Sequence, residues 1–178
     1  MQNSLDLKLK IKKIKLAAFD VDGVMTDGSL SYLEDGTQVK TFNAKDGLGL
    51  VMLNKAGIKT AIITAKNSLA VQKRAIDLNI TKLFMGQKNK LEALDELCKG
   101  FNINRDEILY MGDDLPDLEV LNSVGVSTCP YDAVGEVKSS CDYICDFSGG
   151  KGAVREVCDL LLKAKNISYF DLEKPHQQ

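Results

Sequence analysis

Short apolar runs that end in small or acidic residues recur along this chain, with helix-like segments between them, and that alternation restricts the fold most. The runs are 16–20, 60–64, 82–85, 108–112 and 124–127, each the length of a buried strand. Between them, 47–56 stops at Gly57, a natural C-terminal cap. Residues 68–78 can start from Asn67, and 89–99 stop at Gly100. Residues 115–123 carry Pro116 in the first turn, where a missing N–H costs nothing. Residues 152–164 place Val154, Val157, Leu160, Leu161 and Ala164 along one face. Strands alternating with helices predict an α/β fold with a parallel sheet covered on both faces.

One segment breaks the alternation. Residues 29–33 and 37–43 read as two strands joined by Glu34-Asp35-Gly36, where glycine can supply positive φ. A lone two-stranded hairpin is marginal in water. It is therefore expected to pack on something, and a second copy of the chain is the obvious candidate. Residues 1–165 are expected to form one domain, with 166–178 a polar, flexible tail in which Tyr169 and Phe170 are candidates for docking.

Composition narrows the partners. A net charge of −2 carries no basic footprint and argues against nucleic acid. An anionic substrate must then be held by a few placed cations or a metal. No signal-peptide core or bilayer-length apolar stretch is present, so no membrane partner is expected. With five cysteines, an odd number, this predicts reduced thiols and a cytoplasmic location. Cys141 and Cys145 suggest a metal clip, but the one histidine, His176, lies in the polar tail; small buried thiols are the better reading.

The chemistry concentrates in Asp20-Val21-Asp22-Gly23-Val24-Met25-Thr26-Asp27, directly after the first apolar run. Asp20 and Asp22 point the same way on an extended chain. A hard cation such as Mg²⁺ would neutralise both and take oxygen ligands from them. Ligands of an open parallel sheet bind outside the carboxyl ends of its strands, and three further segments fall there. Thr64 can donate to a phosphate oxygen. Lys90 starts a helix, where an anion is favoured. Gly112-Asp113-Asp114-Leu115-Pro116-Asp117 is a second acidic cluster after a strand. Singly, a solvated turn, a helix cap or a solvated lysine explains each. Together they predict one pocket with two acidic walls and two phosphate-binding walls.

These four segments resemble the motifs of the haloacid dehalogenase superfamily of aspartate-nucleophile phosphatases, and the resemblance covers nearly the whole chain. It implies a Rossmann-like sheet without a cap domain. Within the superfamily the chain is most similar to the family of 3-deoxy-D-manno-octulosonate 8-phosphate (Kdo 8-phosphate) phosphatases. That closer match rests on the run from Asp20 to Gly28, Phe42-Asn43-Ala44-Lys45-Asp46-Gly47, Gly86-Gln87-Lys88-Asn89-Lys90, and the run from Gly149 to Glu156.

The resemblance implies a Mg²⁺-dependent phosphatase with Asp20 as nucleophile, Asp22 as acid–base, and Thr64 and Lys90 binding the phosphoryl oxygens. It implies Mg²⁺ held by Asp20, the main-chain carbonyl of Asp22 and Asp113, with Asp114 and Asp117 in support. It implies a sugar-acid phosphate substrate contacted by Asp22, Asn43, Ala44, Lys45, Asp46, Gly47, Lys66, Arg74 and Lys90. It also implies a homotetramer joined through the hairpin, acting in lipopolysaccharide precursor biosynthesis. Val51 and Lys66 stand where the family commonly has arginine, and lysine loses arginine's bidentate fork. A nonulosonate 9-phosphate therefore stays open as substrate, and a non-catalytic oligomeric scaffold as a rival class. A phosphomutase would need a cap for which the chain has no room.

Overall fold

The structure, a computed structural model, describes residues 2–173, with side chains from residue 6 onward. Six strands form one parallel sheet: β1 (Leu16–Phe19), β4 (Lys59–Ile63), β5 (Lys82–Phe84), β6 (Ile108–Met111), β7 (Val126–Cys129) and β8 (Tyr143–Ile144), in the order β5-β4-β1-β6-β7-β8. β1 sits between β4 and β6, with Phe19 opposite Ile62 on one side and Met111 on the other. All four of its residues are buried, as a strand covered on both faces requires.

Alternation along β1 divides the core in two. Ala17 and Phe19 face α2 (Ala44–Lys55), α3 (Leu69–Asp77) and α7 (Ala153–Ala164), meeting Leu50, Leu53, Val71, Val154 and Val157. Leu16 and Ala18 face α4 (Lys90–Phe101), α5 (Leu118–Leu121) and α6 (Gly135–Ser140), meeting Leu94, Leu97, Leu121 and Val137. The first face is closed by Ile11 of α1 (Gln2–Lys13). Nothing but a small antiparallel hairpin, β2 (Ser31–Tyr32) and β3 (Gln38–Val39), is inserted between β1 and α2, so there is no cap domain. None of the described helices is long and apolar enough to cross a membrane.

The expected strands are present, and the differences lie at their ends. α2 begins at Ala44, not residue 47, because Asn43 Oδ1 accepts the Lys45 N–H at 2.8 Å. α3 is capped by Ser68, and Asn67 lies outside it. α4 runs through Gly100 and stops where Asn102 turns left-handed at φ 51°. β7 starts two residues late, since the Gly125 N–H is spent on the carbonyls of Arg105 and Ile108. A 3₁₀ turn, Leu115–Asp117, takes the first part of 115–123. The hairpin pairs only two residues per strand around Gly36 and leaves Leu30, Tyr32, Leu33 and Val39 exposed. In the tail, Ser168 caps α8 (Tyr169–Leu172), with Tyr169 edge-on to Phe170. His176 lies outside the described residues. All five cysteines are free, and Cys129, Cys145 and Cys158 are buried.

The loop after β8 is seated on the Asp20 loop. The Gly150 N–H donates to the Val24 carbonyl at 2.9 Å. A Cβ on Gly149 would stand 1.8 Å from the Gly23 carbonyl oxygen. Gly149→Ala is accordingly expected to destabilise the protein by about 1–3 kcal/mol and to lower activity with it. A urea midpoint equal to that of the unchanged protein would contradict this packing.

Candidate active site

Three adjacent strands, β4, β1 and β6, deliver the polar residues to one end of the sheet. The Asp20 N–H donates to the Met111 carbonyl at 3.0 Å, carrying the β1–β6 ladder one residue past the strand. The chain then folds on itself, with the Val21 carbonyl accepting from Met25 and Thr26. Gly23, at φ +83°, allows this loop to meet the one after β6. A Cβ there would lie 2.0 Å from Asp113 Oδ2. Thr64 follows β4, and Asn89 caps α4 so that Lys90 opens that helix. The resulting cleft, about 310 Å³, is lined by Asp20, Asp22, Thr64, Lys66, Lys90, Asp113, Asp114 and Asp117.

A buried ion pair network organises the cleft floor. Lys90 Nζ lies 3.0 Å from Asp20 Oδ1 and 2.6 Å from Asp117 Oδ1, with the lysine side chain 5% exposed and that of Asp117 2%. The Tyr110 hydroxyl donates to the same Asp117 oxygen at 2.6 Å. Asp117 Oδ2 accepts the N–H groups of Asp113 at 3.1 Å and Asp114 at 3.4 Å. Asp114 itself is exposed and caps the 3₁₀ turn through Leu115 N–H. Removing one partner from such a pair strands a buried charge, at a cost of about 3–5 kcal/mol.

One lysine does not balance three carboxylates. Oxygens of Asp20, Asp113 and Asp117 lie within 4.8 Å of one another. Burial pushes Asp20 up to about 6, with Asp117 adding to the rise and Lys90 opposing it. Burial and the charges of Asp20, Asp117 and Asp114 push Asp113 up to about 7. For Lys90, burial works to lower the pKa, but Asp20 and Asp117 outweigh it and hold the ammonium above its ordinary value. An all-oxygen donor set crowded with negative charge fits a hard divalent cation.

Asp22 belongs to a different environment. Its two oxygens pair with two lysines: Oδ1 with Lys40 from the hairpin, and Oδ2 with Lys66 at 3.2 Å. Burial tends to raise its pKa, but the lysines prevail and hold it below the usual carboxylate range. Lys66 is half exposed at the rim, and its N–H meets Thr64 Oγ1 at 3.4 Å.

The cleft therefore gathers Asp20, Asp22, Thr64, Lys66, Lys90, Asp113, Asp114 and Asp117. It does not bring Asn43, Ala44, Lys45, Asp46, Gly47 or Arg74 to its wall. Arg74 instead donates to the Asn43 carbonyl at 3.0 Å and lies over the Phe42 ring. Asp46 is buried, accepting the Arg155 N–H at 2.9 Å. Gly47 abuts the Arg74 guanidinium, and Ala44 and Lys45 form the exposed first turn of α2. Sequence reasoning missed Lys40 and Tyr110. Tyr110 had a signal, since it lies two residues before Gly112 on a strand whose end carries the acidic cluster; Lys40 sits in a hairpin with none.

Comparison with known proteins gives consistent results. Residues 75–157 match the haloacid dehalogenase-like hydrolase family. The 3-deoxy-D-manno-octulosonate 8-phosphate phosphatase KdsC of Escherichia coli K12 is 41% identical over 162 residues, 91% of this chain and 86% of that protein. The crystal structure of the corresponding phosphatase from Moraxella catarrhalis, in complex with magnesium ion, phosphate ion and KDO, is 43% identical. It superposes with a TM-score of 0.88 over 90% of this chain and 92% of that one. The cobalt-bound enzyme from Haemophilus influenzae is 38% identical, with a TM-score of 0.85 over 88% and 92%.

Raised carboxylate pKa values carry a stability consequence. A carboxyl that ionises near 3.8 when unfolded but near 6–7 when folded favours the native state at low pH. That stability is fully present below about 3.8 and is lost as pH rises through 6–7. With excess chelator, the melting temperature should thus fall as pH rises from about 4 to 7, and saturating divalent cation should remove most of the fall. A chelated protein with a flat profile, or one indifferent to the cation, would contradict the crowding of Asp20 and Asp113.

Proposed function

The chain belongs to the 3-deoxy-D-manno-octulosonate 8-phosphate phosphatase family of haloacid dehalogenase-like hydrolases, and from that premise we propose how its own residues hydrolyse this sugar-acid phosphate, a step of lipopolysaccharide precursor biosynthesis. The observation that carries the reading is the convergence of Asp20, Asp22, Thr64, Lys90 and Asp113 on one cleft.

Asp20 is the nucleophile. Its carboxylate oxygen attacks phosphorus in line, the bond from phosphorus to the sugar oxygen breaks, and an aspartyl-phosphate forms. Asp22, ionised beside Lys40 and Lys66 in the free cleft, takes up a proton from solvent when bound substrate draws Lys66 off Oδ2, and delivers it to the departing alkoxide. Water then attacks phosphorus, Asp22 takes its proton, and the bond to Asp20 breaks to release phosphate. One carboxyl can serve both steps because leaving oxygen and water occupy the same axial site. Lys90 and Thr64 hold the non-bridging oxygens, where transition-state charge is spread. A divalent cation, which we assign as Mg²⁺ held by Asp20, the Asp22 main-chain carbonyl and Asp113, would offset repulsion between carboxylate and phosphoryl group. Asp117 keeps Lys90 and the Asp113 loop in place, and Asp114 supports that loop as its cap.

For the sugar acid we assign Lys66 at the rim, beside Asp22, to the substrate carboxylate. We assign Asn43, Asp46, Gly47 and Arg74, with their internal contacts, to holding α2 beside the sugar acid, with Ala44 and Lys45 on its open first turn. A cleft of about 310 Å³ is at the small end for a ligand pocket, leaving much of an eight-carbon substrate to be covered from outside. Exposed Leu30, Tyr32, Leu33 and Val39 on the hairpin support a homotetramer in which hairpins roof neighbouring sites, in the cytoplasm.

Asp20→Asn should lower kcat by at least about a thousandfold, while Lys90 keeps Asp117 as a partner and an unchanged far-UV circular dichroism spectrum shows the fold retained; near-normal turnover would remove Asp20 as nucleophile. In a phosphate-release screen with Mg²⁺, Kdo 8-phosphate should exceed neutral sugar phosphates and a nonulosonate 9-phosphate in kcat/KM. Equal efficiency on all of them would overturn the substrate while sparing the reaction. Light scattering should give four times the 19.5 kDa of one chain, and a monomer would end the roofing scheme.

A further inference from the structure

Two lysines hold Asp22, and they are not alike. Lys66 is 50% exposed at the cleft rim, open to solvent. Lys40 has a side chain 3% exposed, and Asp22 is its one charged partner among the described residues. A buried ammonium is costly unless paired. Lys40 reaches the site from the return arm of a hairpin that has only two residue pairs of its own. Its burial ties the hairpin root to the loop carrying Asp20 and Asp22.

A short carboxylic side chain has two torsions, and proton delivery along a particular line fails if they wander. Pinning one oxygen fixes both. Lys40 takes Oδ1, which leaves Oδ2 as the oxygen shared with the exposed Lys66. An incoming leaving-group oxygen can displace Lys66 from Oδ2 without disturbing the buried pair.

We propose that Lys40 is a positioning residue for proton transfer: it pins Asp22 Oδ1 from the hairpin side and so presents Oδ2 to the leaving oxygen. The proposal rests on the reading of Asp22 as the acid–base. It makes the hairpin part of the catalytic apparatus of its own chain, separate from any contact it makes with another copy.

A plain structural anchor and a positioning residue differ in how their loss depends on the leaving group. The p-nitrophenolate of p-nitrophenyl phosphate departs without a proton, whereas the alkoxide of a sugar phosphate needs one. The measurement is kcat/KM, which covers steps up to formation of the aspartyl-phosphate, for the unchanged enzyme, Lys40→Met, Lys40→Gln, Lys40→Arg and Asp22→Asn on both esters. Lys40→Met and Lys40→Gln should lose about tenfold or more beyond their loss on the aryl ester when given the sugar phosphate. Lys40→Arg should recover part of that difference, and Lys40→Met added to Asp22→Asn should cost little more than Asp22→Asn alone. Retained aryl-ester turnover shows that the variants fold. Equal losses on both esters, or full additivity in the double variant, would make Lys40 an anchor only and overturn the proposal. If Asp22→Asn itself lacked the leaving-group bias, the acid–base reading would fall first and take this one with it.

Discussion

The Lys90 ammonium, shut away from water between Asp20 and Asp117, is the interaction on which the rest of this molecule depends. It joins the start of α4 to the ends of β1 and β6, and through Asp117 it reaches Tyr110 and the amides of Asp113 and Asp114. A buried pair of this kind adds little net stability compared with an apolar core, because desolvation consumes most of the attraction. What it does is hold three loops in one geometry. It also leaves an unbalanced negative charge, since Asp113 adds a third carboxylate to a site with one buried cation. A divalent cation among these oxygens would offset that charge.

The same cleft keeps two carboxylates of identical chemistry in opposite conditions, two residues apart. Asp20 is surrounded by burial and like charge and is pushed up to about 6. Asp22, facing Lys40 and Lys66, is held below its ordinary range. For the roles proposed above this order is inverted, since the nucleophile must be ionised and the proton donor protonated; a cation beside Asp20 and the departure of Lys66 from Asp22 would reverse it. Their surroundings divide as well: the sheet end supplies Asp20, Thr64 and Asp113, and the hairpin and rim supply the lysines around Asp22. The sheet end is rigid because β1 is buried on both faces. The hairpin, with two pairs per strand, has no comparable support of its own.

Much of this was legible in the residues alone. Five of the six sheet strands are apolar runs bounded by small or acidic residues, a pattern that a parallel sheet imposes because both faces are covered. β8 was not, because two residues carry no periodicity. α1 has Ile11 on its buried face within a lysine-rich stretch that reads as polar. Motif residues next to strand ends could be placed together because the topology brings neighbouring strand ends into register. Asn43–Gly47 and Arg74 illustrate the limit: a quoted motif says which residues occur together, not whether a side chain turns toward a cleft or into the packing behind it. Arg74 turns to the Asn43 carbonyl. Lys40 shows the converse, a distant charge made local by a loop whose path nothing in its composition reveals.

The seating of the Gly149–Gly150 loop on the Gly23 and Val24 carbonyls bears on how this molecule comes into being on the ribosome. The acidic motifs leave the exit tunnel before that loop emerges, yet the turn that follows Asp20 is finished only when a segment well over a hundred residues later clamps it. A polypeptide made only as far as Asp117 thus holds every one of these acidic motifs while the turn at Gly23 still lacks the loop that closes on it.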